Sequence, residues 1–498
     1  MKLRTAFLAG LAALALSPRD ALASPLFELA GGTLGQGGFN ASVTAPGAAS
    51  TYFNPALLAD SDQEFDVGLL VLSDQTSLTL DGRPGGDVPT LVGDRTLLDP
   101  RTHAPIPNYT MPTQWLEHGC STGSCAGSPF AARPRQAAGT GQSTLSYTSI
   151  GLVSRVLDGF LVLGLHALVP NGDFTQLHSF YNDEREQFFS NSLHPELYSD
   201  RLTATSLAFG AGSRLSRHIA IGASFTLSLS NAAAASTYVS DPVDYKKLLL
   251  DNRVGVTTAV APHFGATYTP IDRLRLSAAL HTEQKLVLKT GISATLPSGT
   301  ESRTTITEVH DFVPWMIILG GAYDVNPGAA HLVSVAWTMA YEAWSEYLDR
   351  HGQRPDSYGA QLAWKDVITG SLGVRYTHGP LRAFLDGSIR PSPVPLQVGR
   401  SNYVDNDRVG AALGVDYETR LFSRRFRFGI GGQAQRLIAR HQAKQDALMV
   451  DEVPDGALDR NLQPVASARG LQTNNPGWPG FASDGWILGT SIWASLIY

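Results

Sequence analysis

The chain has 498 residues, with 38 Lys and Arg against 44 Asp and Glu and a formal charge of −6 at pH 7. Charged residues are only 16%, against roughly 25% in soluble globular chains, while hydrophobic residues stay at an ordinary 43%. A helical membrane protein would be more apolar, a disordered chain more charged, and a nucleic-acid binder would carry a basic patch. What remains is two or three soluble domains or one large β-rich structure.

Lys2 and Arg4 precede an unbroken apolar and Gly run over 6–16, and Ala21-Leu22-Ala23 supplies small residues at the cleavage spacing. This pattern predicts a secretory signal peptide over 1–23, with the mature chain beginning at Ser24. The run is too short for a spanning helix, which needs about 20 apolar residues, and no later segment supplies one. In a membrane, such a chain could only be a β-barrel.

Residues 24–62 are Gly/Ala-rich and too irregular to predict strand or helix. From residue 64 onward the pattern becomes period 2, apolar residues alternating with small or polar ones, as in Ile219-Ala220-Ile221-Gly222-Ala223 and Leu372-Gly373-Val374-Arg375-Tyr376. Strands are predicted near 65–80, 144–156, 159–169, 201–214, 218–230, 253–269, 273–289, 304–323, 331–348, 366–378, 381–391, 406–418, 424–439 and 485–498. Several reach or exceed the 9–11 residues of a tilted membrane strand. The best helical candidate is the short stretch 244–251.

Connection lengths alternate. Leu157-Asp158, Leu215-Ser216-Arg217, Pro270-Ile271-Asp272 and Gly379-Pro380 are tight turns, whereas 81–143, 170–200, 231–252 and 441–484 are long and rich in Pro, Gly and Asn. Short turns at one end and long loops at the other are the layout of an outer-membrane barrel. In the last segment Ile492, Ala494, Leu496 and Tyr498 share one face. The expected fold is therefore all-β: a transmembrane antiparallel β-barrel of about 14 strands over 63–498. A lumen of that size needs a plug or becomes an open pore, and 24–62 is the segment available to fill it.

The two cysteines, Cys120 and Cys125, fall in the first long connection, within Gly119-Cys120-Ser121-Thr122-Gly123-Ser124-Cys125. In an oxidising compartment a disulfide between them is expected. Gly123-Ser124-Cys125-Ala126-Gly127 also fits the nucleophile-elbow spacing, but that elbow needs a strand before it and a helix after it. Its flanks are Gly, Ser and Pro, so no catalytic residue is assigned. The 13 His are scattered and no zinc-helix or Walker spacing occurs, so neither metal nor cofactor is expected.

Leu34-Gly35-Gln36-Gly37-Gly38 and Asn54-Pro55-Ala56-Leu57 lie in 24–62; Trp344-Ser345-Glu346, Ser388-Ile389-Arg390-Pro391-Ser392-Pro393-Val394-Pro395 with Asn406-Asp407-Arg408, and Trp486-Ile487-Leu488-Gly489-Thr490 follow downstream. In order and spacing these resemble the FadL-type outer-membrane transporters, which carry long-chain fatty acids and other hydrophobic compounds across the Gram-negative outer membrane. The resemblance implies that 24–62 is the hatch, anchored by Asn54, Pro55 and Ala56, with Leu26, Phe27, Leu29 and Phe39 lining an apolar pocket. It implies capture by loop residues such as Phe188, Phe189 and Leu193. It also implies sideways release into lipid at a kinked third strand, for which Pro170, Asn171 and Gly172 are the candidates.

One departure concerns the ligand. Fatty-acid members are expected to meet the carboxylate with a basic residue just past the fifth strand, and 231–240 contains no Lys or Arg. Lys285, Lys289, Arg375 or Arg382 are the available substitutes. Long-chain fatty acids are the first expectation and aromatic or aliphatic hydrocarbons the second. The partners expected are these hydrophobic small molecules and outer-membrane lipid, with no nucleic acid and the chain a monomer. Competing classes are a barrel lipase, a non-specific porin and an adhesin.

Overall fold

A computed structural model describes residues 26–32, 37–81, 98–105, 137–139, 143–172, 194–195, 205–239, 248–295, 301–349, 352–399, 401–445, 458–464 and 480–498. Fourteen long strands form the wall: β1 (Glu64–Leu80), β2 (Ser143–Val156), β3 (Leu161–Pro170), β4 (Thr205–Arg214), β5 (Ile219–Val239), β6 (Leu248–Ile271), β7 (Leu274–His281), β8 (Met316–Asp324), β9 (His331–Glu342), β10 (Val367–His378), β11 (Leu381–Arg390), β12 (Arg408–Leu421), β13 (Arg424–Ala443) and β14 (Gly480–Ile497). Each pairs antiparallel with its neighbours in chain order. β14 returns to β1 in register from Glu64↔Ile497 to Leu80↔Phe481, which closes the sheet. A closed sheet leaves no wall edge with unpaired backbone groups, the condition for a strand structure to cross lipid.

Alternation decides the two faces. Along β1 the side chains of Phe65, Val67 and Leu69 are exposed on the outside while Leu70, Leu72 and Asp74 are buried inside. The same holds for Ile317 and Leu319 on β8, Leu372 and Val374 on β10, and Leu413 and Val415 on β12. So much apolar surface on one continuous outer face is a lipid-contacting belt rather than a water-contacting one. Outward aromatics mark its rims: Tyr268, Tyr323, Tyr417 and Tyr498 toward the tight turns, Trp486 and Tyr341 toward the long connections. From Trp486 to Tyr498 on β14 is roughly 40 Å along the strand, or about 30 Å along the axis at the usual tilt.

The tight turns all lie at the end where β1 begins and β14 finishes, where the Tyr498 N–H donates to the Gln63 carbonyl (3.0 Å). Pro270 and Ile271, expected in a turn, belong to β6, and the turn falls on Asp272-Arg273.

Three further expectations are corrected. The single strands expected over 273–289 and 304–323 are each broken, at Thr282-Glu283 and at Pro314-Trp315. Thr282 directs both its N–H (3.2 Å) and its hydroxyl (2.9 Å) to the Pro262 carbonyl, and Pro314 has no N–H to give the ladder. Beyond the breaks, Gln284–Thr295 and Glu301–Val313 pair with each other, and the former also runs parallel to β5. The helical candidate 244–251 is strand over its described part, because Leu248 onward pairs with β5. Pairing with a neighbour overrides local helical preference there. β9 ends at Glu342 rather than near 348; Trp344–Glu346 forms a 3₁₀ turn, and the Ser345 N–H donates to Asp366 Oδ1 (2.8 Å).

Candidate functional site

The N-terminal segment is more ordered than its composition predicts. It forms α1 (Leu26–Ala30), α2 (Ala41–Thr44), α3 (Ser50–Phe53) and a 3₁₀ turn, Pro55–Asp60. Its partners lie around most of the wall. The Ser42 carbonyl accepts from Ser277 Oγ on β7 (2.6 Å), Asn40 Oδ1 accepts from Ser371 Oγ on β10 (2.9 Å), and the Phe39 N–H donates to Asp386 on β11 (2.8 Å). The Leu29 carbonyl accepts from Gln433 (3.0 Å) and Gln435 (3.2 Å) on β13, and the Ser61 carbonyl from Arg155 on β2 (2.6 Å). The segment therefore contacts side chains of β2, β7, β10, β11 and β13.

Asn54 organises the turn in this segment. Its side chain is fully buried, accepts from the Ala56 N–H (3.1 Å), and donates to the Ser42 carbonyl (3.1 Å) and to Ser277 Oγ (2.7 Å). It thereby caps Pro55–Asp60, with Pro55 at the first position where no N–H is needed. Pro55 presses on the wall at Gly222 and Asn54 at Gly265, directly paired residues of β5 and β6, where any Cβ would collide with it. Gly38 adopts φ +52° with no room for a side chain against Asp386 and Phe384, so glycine is required for the backbone to reach Asp386.

Toward the long connections, α1 meets two apolar groups. Phe27 stacks on Tyr52 at 4.4 Å between centroids, and Tyr52 lies edge-on to His263 (5.1 Å) and His281 (4.9 Å). Leu29 packs into a buried cluster containing Phe312, Trp344, Tyr347, Trp364 and Tyr403, in which Tyr347 and Trp364 stack at 3.7 Å. Between them stands Glu28, whose Oε1 accepts from the Tyr52 hydroxyl (2.7 Å) and lies 3.6 Å from His281 Nδ1. Burial alone would raise the Glu28 carboxyl, but neighbouring His281, Arg390 and Tyr52 hold it below the usual carboxylate value.

A cavity of about 110 Å³ opens beside Glu28, walled by Phe39, Phe53, Ile318 and Ala340 together with Glu342 and Arg390. A smaller one of about 20 Å³ adjoins Leu29 and Trp344 and shares Glu28, Glu342 and Arg390 with it. Arg390 is held by Glu342 (2.6 Å), whose other oxygen accepts from Trp344 Nε1 (2.7 Å). At the tight-turn end a larger space of about 290 Å³ is lined by five arginines, Arg273, Arg275, Arg375, Arg382 and Arg427, and five carboxylates, Glu64, Asp66, Asp272, Asp324 and Asp416. Equal numbers of opposite charges make this a solvated vestibule rather than an anion site.

The expected site residues fall as follows. Phe39 lines the 110 Å³ cavity and Leu29 the small one, whereas Leu26 and Phe27 are buried in packing with Tyr52, Tyr147 and Leu168. Pro170 is the last residue of β3, and the Asn171 N–H still donates to the Ser146 carbonyl of β2 (2.8 Å). On the other side the β3–β4 pairing stops at Leu168↔Ser206. Phe188, Phe189, Leu193, Cys120, Cys125 and the signal peptide lie outside the described residues. Two suggested cations are engaged: Arg375 with Asp386 (2.5 and 2.9 Å) and Arg382 with Asp416 (2.9 and 2.8 Å). Lys285 lies 3.5 Å from Glu283, and the side chain of Lys289 is not among those described.

Sequence reasoning missed Glu28, Glu342 and the Trp364 stack, and it placed Arg390 in the 388–395 motif without assigning it a role at the cavity. Alternation would have marked Glu342 as inward, opposite in phase to exposed Met339 and Tyr341. Nothing in the sequence marks Glu28, which lies in a segment with no period.

No family model matches the chain, and no curated protein matches it. Among solved structures, a Pseudomonas aeruginosa FadL homologue aligns with a TM-score of 0.50 at 14% identity, covering 94% of this chain and 97% of that one. The P. putida toluene transporter TodX aligns with a TM-score of 0.46 at 12% identity, over 93% of this chain and 99% of that one. The Ralstonia pickettii toluene transporter TbuX aligns with a TM-score of 0.43 at 12% identity, over 96% and 99%. The closed fourteen-strand wall and its likeness to the first of these give the chain the fold of the FadL-type outer-membrane barrels.

Proposed function

We propose that this protein is a passive outer-membrane channel for small hydrophobic molecules, with residues 24–62 as its plug. The observation that carries this reading is a lipid-facing barrel whose N-terminal segment is hydrogen-bonded to side chains around the wall, beside small, partly apolar cavities and an aromatic cluster. An open porin lumen is a poor description of that interior. Solute would enter among the long connections, pass the aromatic cluster and reach the cavity beside α1. The charged vestibule below would oppose onward passage of an apolar solute, whereas release into lipid gains about 0.8 kcal/mol per CH₂ buried. Pro170, Asn171 and Gly172, beside the end of the β3–β4 pairing, are the proposed lateral exit.

Of the two ligand classes, neutral molecules fit better than long-chain fatty acids. Arg375, Arg382 and Arg390 each already hold a carboxylate of the protein, so a fatty acid bound by one of them would have to displace it. The cavity of about 110 Å³ is also close to one-ring size: an engineered apolar cavity of about 150 Å³ in another protein binds benzene.

The test is uptake of radiolabelled toluene and oleate by cells lacking their own fatty-acid channel, with Asn54→Ala/Pro55→Ala as the plug variant. Toluene uptake altered by that variant supports the reading. Oleate uptake alone would restore fatty acids as the cargo, and movement of neither by inserted protein would refute transport.

A further inference from the structure

The cavity beside α1 has a polar feature that hydrocarbon transport leaves unused. Glu28 lines both cavities, and its Oε1 is engaged by Tyr52 and faces His281, while no hydrogen bond among the described residues reaches Oε2. The apolar part of the lining includes the rings of Phe39 and Phe53 with Ile318 and Ala340, and much of the rest is polar, including Ser42, Thr338, Ser371, Ser388 and Gln435. The second carboxylate at the cavity, Glu342, is occupied on both oxygens, by Arg390 and by Trp344.

Three ligand chemistries can be weighed against this arrangement. A carboxylate ligand of one-ring size would approach Glu28 and Glu342 as well as Arg390 and Arg408, and the guanidinium of Arg390 is already committed to Glu342. A hydrocarbon would fill the apolar wall but strip water from Glu28 Oε2 and replace it with nothing, a loss for a charged acceptor. A ring bearing a hydroxyl satisfies both halves: the ring lies on the apolar wall and the O–H donates to the open carboxylate oxygen, a charge-assisted bond.

We propose that the cavity beside Glu28 selects monoaromatic alcohols of the phenol class, with Glu28 Oε2 as the acceptor for the ligand hydroxyl. This rests on the reading of the lumen as a hydrophobic-solute channel and specifies the solute. Glu28 is a specificity residue here: it discriminates between rings of the same size by a single hydrogen bond.

The experiment uses the full mature chain in detergent micelles and equilibrium dialysis with radiolabelled p-cresol, toluene and benzoate. Toluene is p-cresol without the hydroxyl, so their ratio, corrected for partition into empty micelles, isolates the hydrogen bond. The expected result is p-cresol bound about tenfold more tightly than toluene, and benzoate weakest. In Glu28→Gln, which keeps the shape and lowers the acceptor strength, the preference should fall to about threefold or less with toluene binding within twofold of wild type. Phe53→Leu, which trims the wall and spares Glu28, should weaken both rings in parallel and keep their ratio; this variant reports on the cavity if Glu28→Gln fails to fold. Equal binding of p-cresol and toluene would overturn the phenol assignment and leave the channel reading standing. Tightest binding of benzoate would overturn it in favour of Arg390 as the ligand's partner. Binding of none of the three would refute both the assignment and the cavity as a solute site.

Discussion

Asn54→Ala is the most informative single change to the plug. In the folded chain the Asn54 amide makes three hydrogen bonds, from the Ala56 N–H and to the Ser42 carbonyl and Ser277 Oγ, all fully buried. Ser277 keeps its own bond to the Ser42 carbonyl, so those two groups are not orphaned by truncation. The Ala56 N–H is. Leaving one buried donor unmet costs about 1–3 kcal/mol, and loss of the other two bonds adds about 0.5–1.5 kcal/mol each at most. A total of about 3 kcal/mol corresponds to a shift of roughly 150-fold in the equilibrium between docked and undocked plug. Hydrogen exchange at Ala56, Leu57 and Leu58 in micelles should accelerate by about that factor while β10–β12 stay protected. Asn54→Asp, which keeps the acceptor for Ala56 but loses both donated bonds, separates the two contributions. Exchange at 56–58 unchanged within threefold in Asn54→Ala would refute the argument that this side chain fixes the plug to the wall.

Four further outcomes are expected. Arg375→Met strands the fully buried Asp386 and removes bonds to the Gly37 carbonyl (2.8 Å) and Thr44 Oγ1 (3.1 Å), so it should destabilise by about 3–5 kcal/mol in urea unfolding from micelles; a change under 1 kcal/mol would contradict the pairing. Because the Glu28 carboxyl is held below its usual value in the folded chain, its contribution to docking α1 is complete above about pH 4.5 and is lost as pH falls further; amide hydrogen exchange at 26–30 should be flat from pH 7 to 5, corrected for intrinsic rate, and rise below pH 4.5. Leu29→Ala should cost about 2–5 kcal/mol through the cavity it leaves in the Trp344–Trp364 cluster, and near-ultraviolet circular dichroism should lose the packed-tryptophan signal; an unchanged spectrum would disprove the packing. On the lipid face, Leu372→Arg near the middle of β10 should reduce stability in bilayers by about 2–4 kcal/mol, whereas an effect below 0.5 kcal/mol would argue that this face does not contact lipid.

The wall was legible in the amino-acid order because its information is local. Period 2 assigns each residue to one face, so Phe65, Leu372 and Ile492 announce a lipid-facing side without reference to any neighbour. Alternating connection lengths then give the up-and-down order, and the pairing of β14 with β1 closes it. The breaks at Thr282 and Pro314 were less visible, since a proline in a strand states that a ladder bond is missing but not where the chain turns next.

The interior was decided only by the tertiary structure. Residues 24–62 carry no period, so their contacts come from distant strands that happen to face the same level of the lumen: Asn54 meets Ser277, Phe39 meets Asp386, Glu28 meets His281. The same is true of the charges. Arg375 and Arg382 look in the sequence like cations available to a ligand, and their being engaged depends on Asp386 and Asp416 standing opposite on the next strand. Alternation fixes which way a side chain points, and register across the barrel fixes what it meets; the first is a property of one strand, the second of all of them together.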